Sequence, residues 1–155
     1  MQYSAVIATP LCRLGILTRA DALLSLSFVD AGTALHEPVA GGLEAEVARQ
    51  IACYFADPRY VFNLPLHPVG TDFQLRVWRA IARIPVGETR CYREVASEVG
   101  SIARAVGGAC GRNPLPIIVP CHRVVAAAGP GGFNRGQDRL MMGIKLGLLR
   151  HEYAG

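Results

Sequence analysis

Between Thr71 and Ala109 the apolar residues fall into three runs of helical period, and the breaks between the runs leave room for little except short packed helices. Thr71 and Gln74 have the spacing of a capping box, in which each side chain bonds the other residue's backbone N–H. Behind them Phe73, Val77, Ile81 and Ile84 form one stripe, which Pro85 ends because proline brings no backbone donor to a helix. After a turn at Pro85-Val86-Gly87, Tyr92, Val95, Ala96 and Val99 sit at i, i+3, i+4 and i+7. Gly100 stands where a helix end favours a left-handed residue, and Ser101 is placed to cap the next helix. Ile102, Ala105, Val106 and Ala109 then repeat the pattern. Two short amphipathic helices joined by Gly100-Ser101 read either as a helix-turn-helix or as a plain hairpin in a core.

The other face of the second helix shows Arg104, Gly107 and Gly108, again at i, i+3 and i+4. Two glycines inside a short helix cost about 1 kcal/mol each relative to alanine. Either a neighbouring helix or a ligand must press too close for a side chain. Arg104 on the same face favours the ligand, since a nearly bare helix face can enter a narrow groove. Charge agrees in direction. Residues 71–155 hold 12 basic side chains against 6 acidic ones, a net +6, while residues 1–70 hold 4 against 6, a net −2. That asymmetry is either scatter on a basic protein or the footprint of a polyanion-binding face.

Before Thr71 the pattern changes. Leu24, Leu26 and Phe28 alternate with Ser25, Ser27 and Val29, which suits a strand with one more buried face. Gly15 to Thr18 and Tyr3 to Ala8 are weaker strand candidates. Leu43, Val47, Ile51 and Phe55 recur every four residues and predict a helix from Leu43 to Ala56, stopped by Asp57-Pro58. Residues Asn63 to Gly70, with Pro65 and Pro68, read as a linker. The expected fold is therefore α/β (α+β) in two lobes: a small sheet-plus-helix lobe over 1–68, then a mostly helical lobe over 69–155.

With 51% hydrophobic and 18% charged residues, the composition is that of a globular chain and excludes a disordered one. No apolar run reaches the roughly 20 residues of a membrane span, and the start Met1-Gln2-Tyr3-Ser4 lacks a signal-peptide pattern. No membrane partner and a cytoplasmic location are expected. Five cysteines (Cys12, Cys53, Cys91, Cys110 and Cys121) are scattered, with no Cys-x-x-Cys pair, so free thiols are expected and no metal or other cofactor.

One segment concentrates chemistry. Residues 113–125 read Asn-Pro-Leu-Pro-Ile-Ile-Val-Pro-Cys-His-Arg-Val-Val. Pro120 breaks the apolar run Ile117-Ile118-Val119 and presents Cys121, with His122 and Arg123 directly after it. A thiol reacts as the thiolate, and an imidazole or a positive charge nearby lowers its pKa. Cys53 and Cys110 lie among apolar or small residues, in the setting of packing cysteines, and Cys12 and Cys91 carry no motif.

These residues resemble a known family. Ile118-Val119-Pro120-Cys121-His122-Arg123-Val124 is similar to the signature of the O6-alkylguanine-DNA alkyltransferases, the methylated-DNA–protein-cysteine methyltransferases. The likeness extends over Gly70-Thr71-Asp72-Phe73-Gln74, Val77-Trp78, Pro85-Val86-Gly87-Glu88-Thr89-Arg90, Tyr92, Arg104-Ala105-Val106-Gly107-Gly108-Ala109, Gly111-Arg112-Asn113-Pro114 and His151-Glu152. It is strong from Gly70 to Val125 and loose elsewhere. It implies an RNase H-like first lobe and a winged helix-turn-helix-like second one. It also implies a single-use repair protein that flips an alkylated guanine out of double-stranded DNA and moves the O6 alkyl group irreversibly onto Cys121, with O4 of thymine a second candidate atom. His122 would act through a water as base, and Glu152 would orient it. Arg104 would fill the gap in the base stack, with Ala105, Gly107, Gly108 and Arg112 along the minor groove. Tyr92 would push the flanking phosphate and help protonate the leaving guanine. Asn113 would tie the helix-turn-helix to the active segment, Val124 would accept from guanine through its backbone, and Lys145 would reach the site. A monomer is expected. The stretch Ala126 to Gln137 is longer than the family's usual Gly-rich loop, and Phe133 stands for that loop's aromatic. On the last helix, either Leu140 or Met141 joins Ile144 and Leu148 in one stripe, with Asp138 as cap.

Three rival readings predict different things. A non-catalytic sensor of alkylated DNA carries a non-nucleophile where this chain has Cys121. A helix-turn-helix transcription regulator predicts sequence-specific binding and a dimer, for which no signal is visible. A thiol redox sensor needs a resolving cysteine. Cys110 is the nearest in sequence, and nothing in the sequence supports the pairing.

Overall fold

A computed structural model describes residues 3–127 and 139–154, and its chain contacts separate two compact units, one ending at Val69 and the other running Gly70–Ala154. The architecture is mixed α/β. In the first unit β1 (Ala5–Ala8), β2 (Arg13–Arg19) and β3 (Ala22–Val29) form an antiparallel sheet in that order, and α1 (Leu43–Ala56) follows. Leu14, Ile16, Leu23 and Leu26 of the sheet and Val47, Ile51 and Tyr54 of α1 are buried. The alternation expected at Leu24, Leu26 and Phe28 is broken. Leu17 pairs with Ser25 but Thr18 with Leu23, which leaves Leu24 as the extra residue of a bulge. A bulge shifts the side-chain phase, so Leu23 and Leu26 face the core instead. The four-residue stripe of α1 also drifts, because four residues overshoot one helical turn. Tyr54 is buried and Phe55 only half-buried. Residues Asn63 to Gly70 are more than a linker. Buried Gln50 brackets the Asn63 backbone (2.9 and 2.8 Å), and Leu23 exchanges backbone bonds with Pro65 and His67.

In the second unit, Thr71 and Gln74 close the capping box of α2 (Asp72–Ala82) at 3.1 and 2.9 Å. The helix stops at Arg83, ahead of Pro85, and leaves Ile84 buried just beyond it. The Trp78 indole donates to the Ala109 carbonyl at 2.9 Å, joining α2 to α4 (Ala103–Gly111). A Cβ on Gly70 would lie 2.5 Å from the same indole, so no side chain fits there. Between α3 (Tyr92–Val99) and α4, Gly100 takes the left-handed conformation at φ 71°, and the Ser101 N–H closes the turn on the Ala96 carbonyl at 2.8 Å. That turn carries the chain past Ser101. The helix starts one residue later, with Ile102 in the cap position and no side-chain cap, so the expected Ser101 cap is absent. Ile102 is 65% exposed and leaves the stripe that Val106 and Ala109 continue into the core. β4 (Arg90–Cys91) pairs in parallel with β5 (Val124–Val125). The last helix, α5 (Arg139–Ala154), buries Ile144, Lys145, Leu148 and Glu152. Leu140 is exposed and Met141 half-buried, so the stripe begins at Met141. The expected cap Asp138 lies outside the described residues. No described helix is long and apolar enough to cross a membrane.

Candidate active site

Asn113 shapes the segment that delivers Cys121. Its Oδ1 accepts from the Leu115 N–H at 2.9 Å, and its Nδ2 donates to the Val119 carbonyl at 2.8 Å and to Cys121 Sγ at 3.1 Å. Between these anchors Ile117 sits at φ 76°, a conformation a β-branched residue seldom takes, at a cost of about 1–3 kcal/mol. Its side chain is buried, so packing holds it there. The chain then makes one 3₁₀ turn, Cys121–Arg123, that buries Cys121 and His122.

Across that turn stands Glu152 of α5. His122 Nε2 lies 2.6 Å from Glu152 Oε2, and both side chains are buried. Arg123 donates to the same carboxylate from Nε (2.9 Å) and Nη2 (3.1 Å), and from Nη1 to the Ile84 carbonyl (2.6 Å). His122 Nδ1 is buried and has no protein partner among the described residues. Two turns of α5 earlier, buried Lys145 donates from Nζ to the Val124 carbonyl at 2.7 Å and to the Tyr92 hydroxyl at 3.5 Å.

Burial governs the protonation of this cluster. It pushes His122 below the usual imidazole range despite the attraction of Glu152, so the ring is neutral at pH 7. It lowers Lys145 to about 8, against the pull of Cys110 and Cys121. It raises Tyr92 far above the ordinary phenol range, so that hydroxyl keeps its proton. Cys121 stands well above the usual thiol range. A hydrogen bond with the Cys110 thiol is the first cause and burial the second, while Asn113 and Lys145 act in the opposite direction. This corrects the expectation drawn from Cys121-His122-Arg123. Neither neighbour lowers the thiol, because His122 is neutral and the Arg123 charge is directed at Glu152.

The structure thus brings together Cys121, His122, Glu152, Asn113, Val124, Lys145 and Tyr92. Arg104 and Arg112 are exposed, on and just after α4, and neither is in an ion pair among the described residues. Ala105, Gly107 and Gly108 lie on the same helix. A Cβ on either glycine would meet nothing within 4 Å among the described residues, which removes tight helix packing as their reason. Phe133 lies outside the described residues. No group of three or more metal-ligating side chains occurs among those described. Two residues escaped sequence reasoning in these roles: Arg123 as clamp on Glu152, and Cys110 as neighbour of Cys121. The sequence held no signal for the second, which depends on how the loop between them returns.

Known proteins resemble this chain in sequence and in fold. The sequence profile of the 6-O-methylguanine DNA methyltransferase DNA-binding domain matches residues 72–154. A methylated-DNA–protein-cysteine methyltransferase of Mycobacterium leprae is 50% identical over 101 residues, 61% of each chain, so the match spans about three fifths of that relative's length. The crystal structure of Mycobacterium tuberculosis O6-methylguanine methyltransferase superposes with a TM-score of 0.80 at 37% identity, over 96% of this chain and 91% of that one. A Mycobacterium tuberculosis OGT in complex with DNA gives 0.78 at 39%, with the same coverage.

Proposed function

Since this chain belongs to the 6-O-methylguanine DNA methyltransferase family, we propose that it repairs DNA directly, by moving an alkyl group from O6 of guanine onto the sulfur of Cys121. One observation carries the reading: Cys121 Sγ, held by Asn113 at 3.1 Å, lies in the same turn as a neutral His122 backed at 2.6 Å by buried Glu152. A thiol kept protonated at rest needs a base only when substrate arrives. His122 Nδ1, its free nitrogen, takes the proton across a water while Glu152 fixes the tautomer and stabilises the imidazolium that forms. The sulfur–carbon bond forms as the carbon–O6 bond breaks. The leaving guanine takes a proton from Tyr92, which Lys145 restores. The thioether product has no group to reverse it, so each molecule acts once.

The lesion must leave the stack before sulfur can reach the carbon in line, at a cost of a few kcal/mol that a poorly paired base reduces. The bare Gly107-Gly108 face of α4 enters the minor groove and Arg104 fills the vacated position, with Ala105 and Arg112 along the backbone. The Val124 carbonyl already accepts from Lys145, and its second lone pair serves guanine. Residues 1–68 and 69–155 act as the two lobes of a monomer in the cytoplasm, at the nucleoid of a bacterial cell. The test is intact-mass spectrometry after mixing with a duplex carrying O6-methylguanine. One methyl on Cys121 is expected, with no second round, and Cys121→Ala should bind the duplex and gain nothing. A protein that leaves the duplex methylated while its thiols stay reduced ends the proposal.

A further inference from the structure

A base at His122 needs Nδ1 bare, yet the 2.6 Å contact of Nε2 with Glu152 does not by itself fix where the ring hydrogen sits. A carboxylate there accepts a hydrogen from Nε2. A carboxylic acid donates its own and sends the ring hydrogen to Nδ1. Arg123 separates the two cases. Its Nε donates to Glu152 Oε1 at 2.9 Å and its Nη2 to Oε2 at 3.1 Å, while Nη1 anchors on the Ile84 carbonyl at 2.6 Å, just past α2. A guanidinium only donates, so this fork calls for both oxygens as acceptors. The Glu152 side chain is 1% exposed, so solvent does little to screen the pairing.

We propose that Arg123 decides which nitrogen of His122 can act as base: by holding Glu152 as an anion, it keeps the ring hydrogen on Nε2 and leaves Nδ1 open. It acts through Glu152 and is a positioning residue. Charge balance gives the reason. Neutral His122 and ionised Glu152 together carry one negative charge in a buried place, and Arg123 cancels it. Without the guanidinium, burial favours uptake of a proton by the pair. The result is an imidazolium beside a carboxylate, or a neutral ring beside a carboxylic acid. In both forms Nδ1 bears hydrogen and cannot receive the thiol proton. The Arg123 charge opposes an imidazolium at His122. Lys145 does so less, and its ammonium is directed at the Val124 carbonyl.

The role rests on the alkyl-transfer reading, so one arm of the test leaves DNA out. Nitrogen NMR of the free protein at pH 7, with the His122 signals assigned by their loss in His122→Gln, should show hydrogen on Nε2 and none on Nδ1. In Arg123→Met, Nδ1 should carry hydrogen. The second arm follows single-turnover methyl transfer from pH 6 to pH 9 and takes the ratio of variant to wild type, in which titrations common to both cancel. A pair whose pKa rises by one unit loses about tenfold in free base on the acid side. The Arg123→Met ratio should therefore be about one tenth or less at pH 6 and climb towards one by pH 9, while duplex binding holds. Arg123→Lys should restore the charge and flatten the ratio. Hydrogen on wild-type Nδ1 overturns the proposal. So does an Arg123→Met ratio that stays the same at every pH, the mark of a merely structural role. Should Arg123→Met fold poorly, Arg123→Gln, which keeps a donor but no charge, takes its place in both arms. A wild type with bare Nδ1 that leaves the duplex methylated ends the transfer reading and keeps the tautomer assignment.

Discussion

Lys145 is the residue at which function and stability pull hardest against each other. Its ammonium is buried, and its pKa falls from 10.5 to about 8. At about 1.4 kcal/mol per unit, holding that charge costs on the order of 3 kcal/mol at neutral pH. The unfolded chain keeps this proton up to about 10.5 and the folded one only to about 8. The penalty is therefore complete below pH 8 and fades between 8 and 10.5. Lys145→Met should be as stable as wild type at pH 7, or more stable by about 1–3 kcal/mol, once the unmet Val124 carbonyl is set against the charge removed. The difference should shrink by pH 9.5, and alkyl transfer should slow. Urea unfolding at the two pH values checks this, and a variant clearly weaker at pH 7 would show that the Val124 bond outweighs the charge. Glu152 makes the opposite case. It answers both His122 and Arg123 from a buried position, so Glu152→Gln leaves Arg123 uncompensated. About 3–5 kcal/mol should be lost, with transfer slowed beyond what the stability change explains.

At the scale of elements, α4 carries two glycines that its own packing does not require. A methyl group at Gly107 or Gly108 meets nothing within 4 Å among the described residues, and alanine is about 1 kcal/mol better than glycine inside a helix. Gly107→Ala and Gly108→Ala should each raise the unfolding free energy by up to that amount while weakening binding to duplex DNA. Thermal unfolding and a binding titration on one preparation separate the effects, and a variant that gains stability and keeps full affinity would remove this face from the groove. Gly100 differs from both. At φ 71° it forms the left-handed turn before α4, so alanine there should cost about 1 kcal/mol.

Across the molecule, what could be read from sequence was set by local rules, and what could not was set by distance along the chain. The Thr71–Gln74 box, the Gly100 turn and the end of α1 at Asp57 each follow from a few adjacent residues. The Leu24 bulge does not, because it is a property of strand pairing. Ser101 lost its capping role to a turn whose closing bond takes its N–H. The pairing of Arg123 with Glu152 spans 29 residues, so nearest-neighbour reading assigned Arg123 to the thiol it follows, while the pairing of His122 with Glu152, across 30, was expected only through the family resemblance. Charge is a long-range property that sequence does report. The net +6 of residues 71–155 includes Arg104 and Arg112, exposed and outside any ion pair among the described residues. Each phosphate neutralised releases condensed counterions, so the logarithm of the binding constant falls with the logarithm of salt by about 0.9 per contact. Arg112→Ala should therefore weaken undamaged and alkylated duplexes alike and make the slope shallower by about 1. Arg104→Ala should leave the slope closer to wild type and slow transfer more than it weakens binding, because the role proposed for it begins only when a base has left the stack. Titrations at several salt concentrations, beside single-turnover transfer rates, distinguish the two arginines, and equal behaviour of the two variants in both measurements would take the stack-filling role away from Arg104.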